Sequence, residues 1–176
     1  MARLDFVDAS TPGVDAALVS AVQARRGGEL LNLDRQLLHS APIARGWNAY
    51  MGAIRTGGIL DGGLRELLIL LVAILNRAPY EFAQHAPVAR DEGVPQSKIS
   101  ALAEWAQSGE FSQQERDAFA YATAMTLHVQ VPDDVFASAR RHFSAREMVE
   151  LTATVAAYNM VSRFLEALKI EAEGAG

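Results

Sequence analysis

The chain contains no cysteine among its 176 residues. Disulfides, thiolate nucleophiles and cysteine metal sites are therefore excluded. Clustered positive charge is also missing. Sixteen Lys and Arg against 21 Asp and Glu leave a formal net charge of −5, and no basic run exceeds Arg25-Arg26 or Arg140-Arg141. Nucleic acid is bound through clustered cations, so no nucleic-acid partner is expected. Long apolar runs are absent as well. The most apolar stretch, residues 67–75, falls far short of the roughly 18 residues that a membrane span needs, so no membrane partner is expected. At the amino terminus Asp5 and Asp8 interrupt the chain before an apolar signal segment forms, which makes the cytoplasm the expected location. Only four histidines occur. None stands at ligand spacing from His85, and neither a metal nor another cofactor is expected.

What is present is helical patterning. No segment alternates polar and apolar residues for long, and the Gly, Pro, Ser and Asp signals mark helix ends rather than hairpins. The spacing predicts a helix over 14–26 with Ala17, Leu18, Ala21 and Val22 on its apolar face, closed by Gly27-Gly28. A short helix over 30–39 follows, then a longer one over 43–55 behind Pro42 that carries Trp47, Tyr50 and Met51 into the core. Beyond the central stretch a helix over 97–107 presents Ile99, Leu102 and Trp105. Ser112 with Glu115 and Ser144 with Glu147 have the spacing of capping boxes, in which each side chain accepts from the other residue's backbone N–H. One helix opens at Pro132 and ends near His142, and the last runs to about Ile170. The expectation is an all-α fold of eight or nine helices in one domain over 1–176. A chain of this length buries about 70% of the surface it exposes when unfolded.

The chemistry concentrates in residues 64–93, LRELLILLVAILNRAPYEFAQHAPVARDEG. This stretch reads as two helices broken at Arg77-Ala78-Pro79, the first buried on nearly all sides. Glu66 lies near the start of the first helix. Glu81 and His85 lie four apart on the second and so share one face. Each has a plainer role open to it. A carboxylate at Glu66 favours the helix dipole and can cap amides; His85 can be a core histidine bonded to a carbonyl; Glu81 and His85 can be an exposed pair. Tyr80 can be packing, and Trp47, Tyr50, Met51 and Phe164 can be core. Arg163 is flanked in sequence by Met160, Val161, Phe164 and Leu165, so its charge calls for a partner, either a carboxylate such as Glu150 or a ligand carboxylate. His39, His128 and His142 lie near helix ends, where surface roles suffice.

The run R-E-L-L-I-L-L-V-A-I-L-N followed by Y-E-F-A-Q-H-A-P-V-A-R-D-E-G-V resembles the core motif of the carboxymuconolactone decarboxylase family, which includes the alkylhydroperoxidase D group. The stretch 143–170, with Glu150, Leu151, Tyr158 and Arg163, resembles its closing helix, so the likeness covers about 32–170. It implies an all-α bundle assembled as a homo-trimer or homo-hexamer. In the peroxidase branch a glutamate, a Cys-x-x-Cys pair and a histidine recur. Here the glutamate and histidine positions match Glu66 and His85, while Ala78 and Glu81 fill the cysteine positions. Dithiol peroxidase chemistry is therefore not expected, and the resemblance points to the decarboxylase side. It implies a cofactor-free acid/base lyase for a small carboxylic acid or lactone. His85, Glu81 and Glu66 would be its catalytic residues, and Tyr80, Arg163 and Trp47 would bind substrate. The alternative is a non-catalytic scaffold of the same family that binds a small molecule and is associated with oxidative stress.

Overall fold

Residues 2–174 are described in a computed structural model of the chain, and among them the ordered elements are helical with no strand. They are α1 (Ala16–Arg26), α2 (Asn32–Leu37), α3 (Ala41–Thr56), α4 (Gly62–Asn76), α5 (Pro79–Asp91), α6 (Gln96–Ala101), a 3₁₀ turn (Leu102–Glu104), α7 (Gln113–His128), α8 (Asp133–Arg140) and α9 (Ala145–Leu168). They group into two compact units. One comprises the described residues up to Gly57 and those from Leu165 onward, the other residues 58–164.

In the first unit Asp15 caps α1 by accepting from the Ala17 and Leu18 amides, and Gly27 ends it at a φ of 83°. At that angle glycine avoids the steric cost of a side chain. The face that α1 buries is Leu18, Val19 and Val22. Ala17 and Ala21, expected on it, are exposed. Turning the helix to cover Val19 removes more apolar area from water than covering two alanines would. Helices α1 and α2 both pack on α3. There Ala44, Trp47 and Met51 are buried, but Tyr50 is 44% exposed. At 100° per residue Tyr50 falls on the flank of that stripe, so it is not core.

In the second unit α4 packs against α5 and α7, and α7 against α8. From residue 67 to 73 no α4 side chain is more than 2% exposed. Each large aliphatic side chain buried so fully contributes about 1.5–3 kcal/mol. Asp61 starts α4 by accepting from the Leu64 amide at 2.9 Å. A Cβ at its first position, Gly62, would stand 2.1 Å from a Glu92 carboxylate oxygen, so a side chain there would push that carboxylate aside. The helix ends at Arg77, which adopts the left-handed conformation (φ 55°, ψ 45°), and Pro79 opens α5 where its missing N–H leaves no bond unmade.

The helix expected over 97–107 is shorter. It stops at Ala101 and tightens into the 3₁₀ turn, so Trp105 is not on the α6 face; its ring instead meets Phe119 edge-on at 5.8 Å. Both capping boxes form. Ser112 N–H donates to Glu115 at 2.8 Å and Ser144 N–H to Glu147 at 2.7 Å, each answered by the glutamate's N–H on the serine hydroxyl.

Candidate active site

The site forms where α4 crosses α5. On α4 Glu66 lies about one turn before the middle of the helix, just ahead of its fully buried stretch, and it is itself 0% exposed. On α5 Glu81 and His85 are 3% and 7% exposed. An ionised carboxylate held this deep costs several kcal/mol unless its oxygens are satisfied. Both Glu66 oxygens have donors: His85 Nδ1 stands 2.6 Å from Oε2, and Arg65 Nε stands 3.2 Å from Oε1. A carboxylate only accepts, so the proton of this contact sits on Nδ1. That leaves Nε2 as the nitrogen that can give or take a proton. Glu81 Oε1 lies 3.5 Å from Nε2, an ion-pair distance at the outer limit of a hydrogen bond. The ring is steadied on another side by Tyr158 of α9, edge-on with centroids 5.0 Å apart.

Arg65 extends the array outward. Its second guanidinium nitrogen donates to Glu92 at 2.9 Å, and Glu92 is 40% exposed while Arg65 is 12% exposed. The result is a continuous series from solvent to core: Glu92, Arg65, Glu66, His85, Glu81. Such a series fixes one orientation of the imidazole and sets a carboxyl group beside each of its nitrogens, which suits a ring that carries a proton to a reacting atom.

Several expectations change at this level. Capping of α4 falls to Asp61, not to Glu66, whose carboxylate is turned to His85 and Arg65. The Glu81/His85 pair is buried rather than exposed. Arg163 is exposed and donates to the carbonyl and side-chain oxygen of Asn159, at 2.9 and 2.6 Å. It does not pair with Glu150, which takes Arg146 at 2.9 Å and the Ile59 and Leu60 amides. The reason is helical geometry: Val161 and Leu165 point inward, and Arg163 lies about 200° around the helix from Val161. Tyr80 is buried on α5 beside Glu81, and Trp47 is buried in α3 of the first unit. Residues that sequence reasoning left out of the site are Arg65 and Tyr158. Arg65 carried a signal, since a cation directly before a carboxylate in a helix can fold back on it. Tyr158 stood out only in the resemblance of the closing helix, because nothing local shows which α9 residue reaches α5. Among the described residues no group of three His, Asp or Glu is placed to hold a metal ion, and no helix is long and apolar enough to cross a membrane.

Residues 41–124, which include Glu66, Glu81 and His85, match the carboxymuconolactone decarboxylase family. Over 78 residues the chain is 38% identical to YnjA, an uncharacterized protein of Escherichia coli (strain K12); the match covers 44% of this chain and 43% of YnjA, less than half its length. Two solved structures share the fold over nearly the whole chain. One is an alkylhydroperoxidase AhpD core, a peroxidase-related protein from Ralstonia eutropha JMP134, with a TM-score of 0.85 at 17% identity, covering 98% of this chain and 93% of that one. The other is the debrominase Bmp8 in complex with 2,3,4-tribromopyrrole, with a TM-score of 0.82 at 19% identity, covering 99% and 91%. At such identities the likeness is one of fold. A segment of this chain is thus similar to the carboxymuconolactone decarboxylase family, its all-helical fold is shared with an alkylhydroperoxidase AhpD core, and the chain has no cysteine.

Proposed function

We propose that the chain is a cofactor-free acid/base lyase that removes CO₂ from a carboxylated lactone or a related oxo-acid. The observation that supports this most is the buried contact of His85 Nδ1 with Glu66 at 2.6 Å, with Glu81 at Nε2. In the reaction the bond between the substrate and its carboxylate carbon breaks. CO₂ leaves, and the bonding pair passes into the unsaturated lactone as a dienolate. His85, as imidazolium, donates its Nε2 proton to the carbon that must be protonated and becomes neutral. Glu66 stabilises the imidazolium and sets the ring; Glu81 steers the proton at Nε2 when the ring is recharged from solvent. Proton transfer by a positioned acid such as His85 contributes about 10²–10⁴ in rate. Family resemblance further suggests a homo-trimer or homo-hexamer, which light scattering of the 19.0 kDa chain at micromolar concentration tests directly.

The test is a screen of carboxylated lactones and oxo-acids for CO₂ release, followed by His85→Gln on the substrate found. The variant should fold and lose about 10²–10⁴ of the rate. Unchanged turnover per folded molecule would show that His85 is not the proton donor. No peroxide turnover with a dithiol reductant is expected, since the chain has no sulfur nucleophile.

A further inference from the structure

The corner between α4 and α5 carries a groove of about 480 Å³ that the proposed chemistry does not use. Its walls are apolar, from Ile74, Ala78, Pro79, Phe82 and Ala83, and Arg77 is the one charged residue lining it. Arg77 is exposed, and its guanidinium makes no hydrogen bond or ion pair among the described residues. Its backbone adds a second observation. Arg77 sits at φ 55° and ψ 45°, where glycine is the favoured residue at a helix end and another side chain carries strain. The strained turn sets the root of the guanidinium at the corner beside the groove.

The groove and the candidate active site draw on neighbouring positions of α5. At 100° per residue along α5, Ala78, Glu81, Phe82 and His85 fall within one sector of about 100°. Ala78 and Phe82 form the near edge of the groove, and Glu81 and His85 follow them around the helix. A molecule seated in the groove would reach that column by its own length rather than by crossing the helix.

We infer that Arg77 and the Phe82 groove form the receiving site for the substrate, which is a carboxylic acid with an apolar body. This rests on the acid/base reading above and narrows it. The guanidinium pairs with a carboxylate, in the two-pronged geometry that arginine favours. The apolar walls cover the ring or chain. A volume of this size suits a small organic acid. Charge complementarity favours this occupant over a neutral or cationic one, because no carboxylate lines the groove.

The experiment is calorimetric titration of the whole chain with phenylbutyrate, phenylbutanol and phenylbutylamine, which share one apolar body. Phenylbutyrate should bind about tenfold or more tighter than the alcohol, as one charge-assisted hydrogen bond implies, and the amine no better than the alcohol. Arg77→Gln, which leaves the left-handed turn as it is, should bring phenylbutyrate down to the alcohol's affinity. Phe82→Ala should weaken acid and alcohol alike. The inference is overturned by failure of phenylbutyrate to saturate the chain at millimolar concentration, by equal binding of acid and alcohol, or by an acid preference that survives in Arg77→Gln. It is equally overturned by an Arg77→Gln chain that changes assembly in light scattering, since the groove would then hold a second copy. Binding is read without turnover. A chain that prefers the acid yet releases no CO₂ from any acid would sink the lyase and leave the site standing; an active chain indifferent to Arg77 would do the reverse.

Discussion

His85 with Glu66 and His142 with Asp117 are histidine–carboxylate pairs of the same unit, and they differ in what surrounds them. His85 and Glu66 meet at 2.6 Å with the histidine side chain 9% and the glutamate 0% exposed. His142 and Asp117 meet at 2.9 Å, with side chains 27% and 12% exposed, and Asp117 also takes Gln113 at 2.8 Å and Arg141 at 3.7 Å. The residue chemistry is nearly the same. Around the first pair the neighbours are the apolar body of α4 and the Tyr158 ring, so charge placed there is not screened by water. Around the second, solvent reaches the imidazole and a freely exposed Arg141 competes for the carboxylate. The same two functional groups, imidazole and carboxyl, therefore make a strongly coupled site in one place and a surface latch between α7 and the α8–α9 corner in the other.

The contrast is broken most sharply by Glu66→Ala. Truncation leaves the Arg65 and His85 donors facing a buried gap, and losing one partner of a buried pair costs about 3–5 kcal/mol. For a chain of this size that lowers the melting temperature by roughly 6–20 °C. A shift below about 2 °C in calorimetry would mean that Glu66 is not the anchor of the array. Glu81→Gln should be milder for stability. It should cost part of the rate on the substrate found, less than His85→Gln does, because the neutral amide still occupies the Nε2 side; a loss as large as that of His85→Gln would make Glu81 the proton donor instead.

The caps give the next effect. Ser112→Ala and Ser144→Ala should each lower stability by about 0.5–2 kcal/mol in denaturant titration. The same caps set an acid limit. Burial pushes Glu115 up, but the Lys98 ammonium and the Ser112 groups outweigh it and hold the carboxyl below its ordinary value. Backbone and hydroxyl bonds from Ser144 lower Glu147. Burial also raises Glu150, and it is outweighed by Arg146 and the Leu60 and Ile59 amides. A carboxyl lowered in the folded state adds stability that is complete above the ordinary glutamate range, about pH 4–5, and is lost as pH falls through the depressed values. Acid unfolding followed by circular dichroism should therefore begin below that range, and the Ser144→Ala chain should show a shallower pH dependence. The smallest effect belongs to the surface latch: His142→Gln should change stability by less than about 1 kcal/mol, and a double-mutant cycle with Asp117→Asn should find a coupling of the same size.

Most of the helix boundaries were legible because their signals are local. Ser112/Glu115 and Ser144/Glu147 act over three residues, and Pro79 and Gly27 act at their own positions. Legibility failed where a choice between faces or partners depended on another element. The α1 face turned to Val19, Tyr50 came out to solvent, and Trp105 left the helix for the ring of Phe119. Arg163 called for a carboxylate or ligand partner because its sequence neighbours are apolar, yet Val161 and Leu165 lie on the far side of α9 and Arg163 faces solvent.

By itself, then, the sequence determined that the chain is helical, that thiol chemistry is closed to it, and that Glu66, Glu81 and His85 gather in its most apolar region. Periodicity, caps and composition carry that information residue by residue. Tertiary structure alone decided which carboxylate holds the imidazole. Glu81 is four residues from His85, and the spacing brings it to 3.5 Å; Glu66 is 19 residues away, and only the packing of α4 on α5 brings it to 2.6 Å. A short contact across two helices depends on their crossing and on the burial that leaves each group no other partner, and no local pattern encodes either.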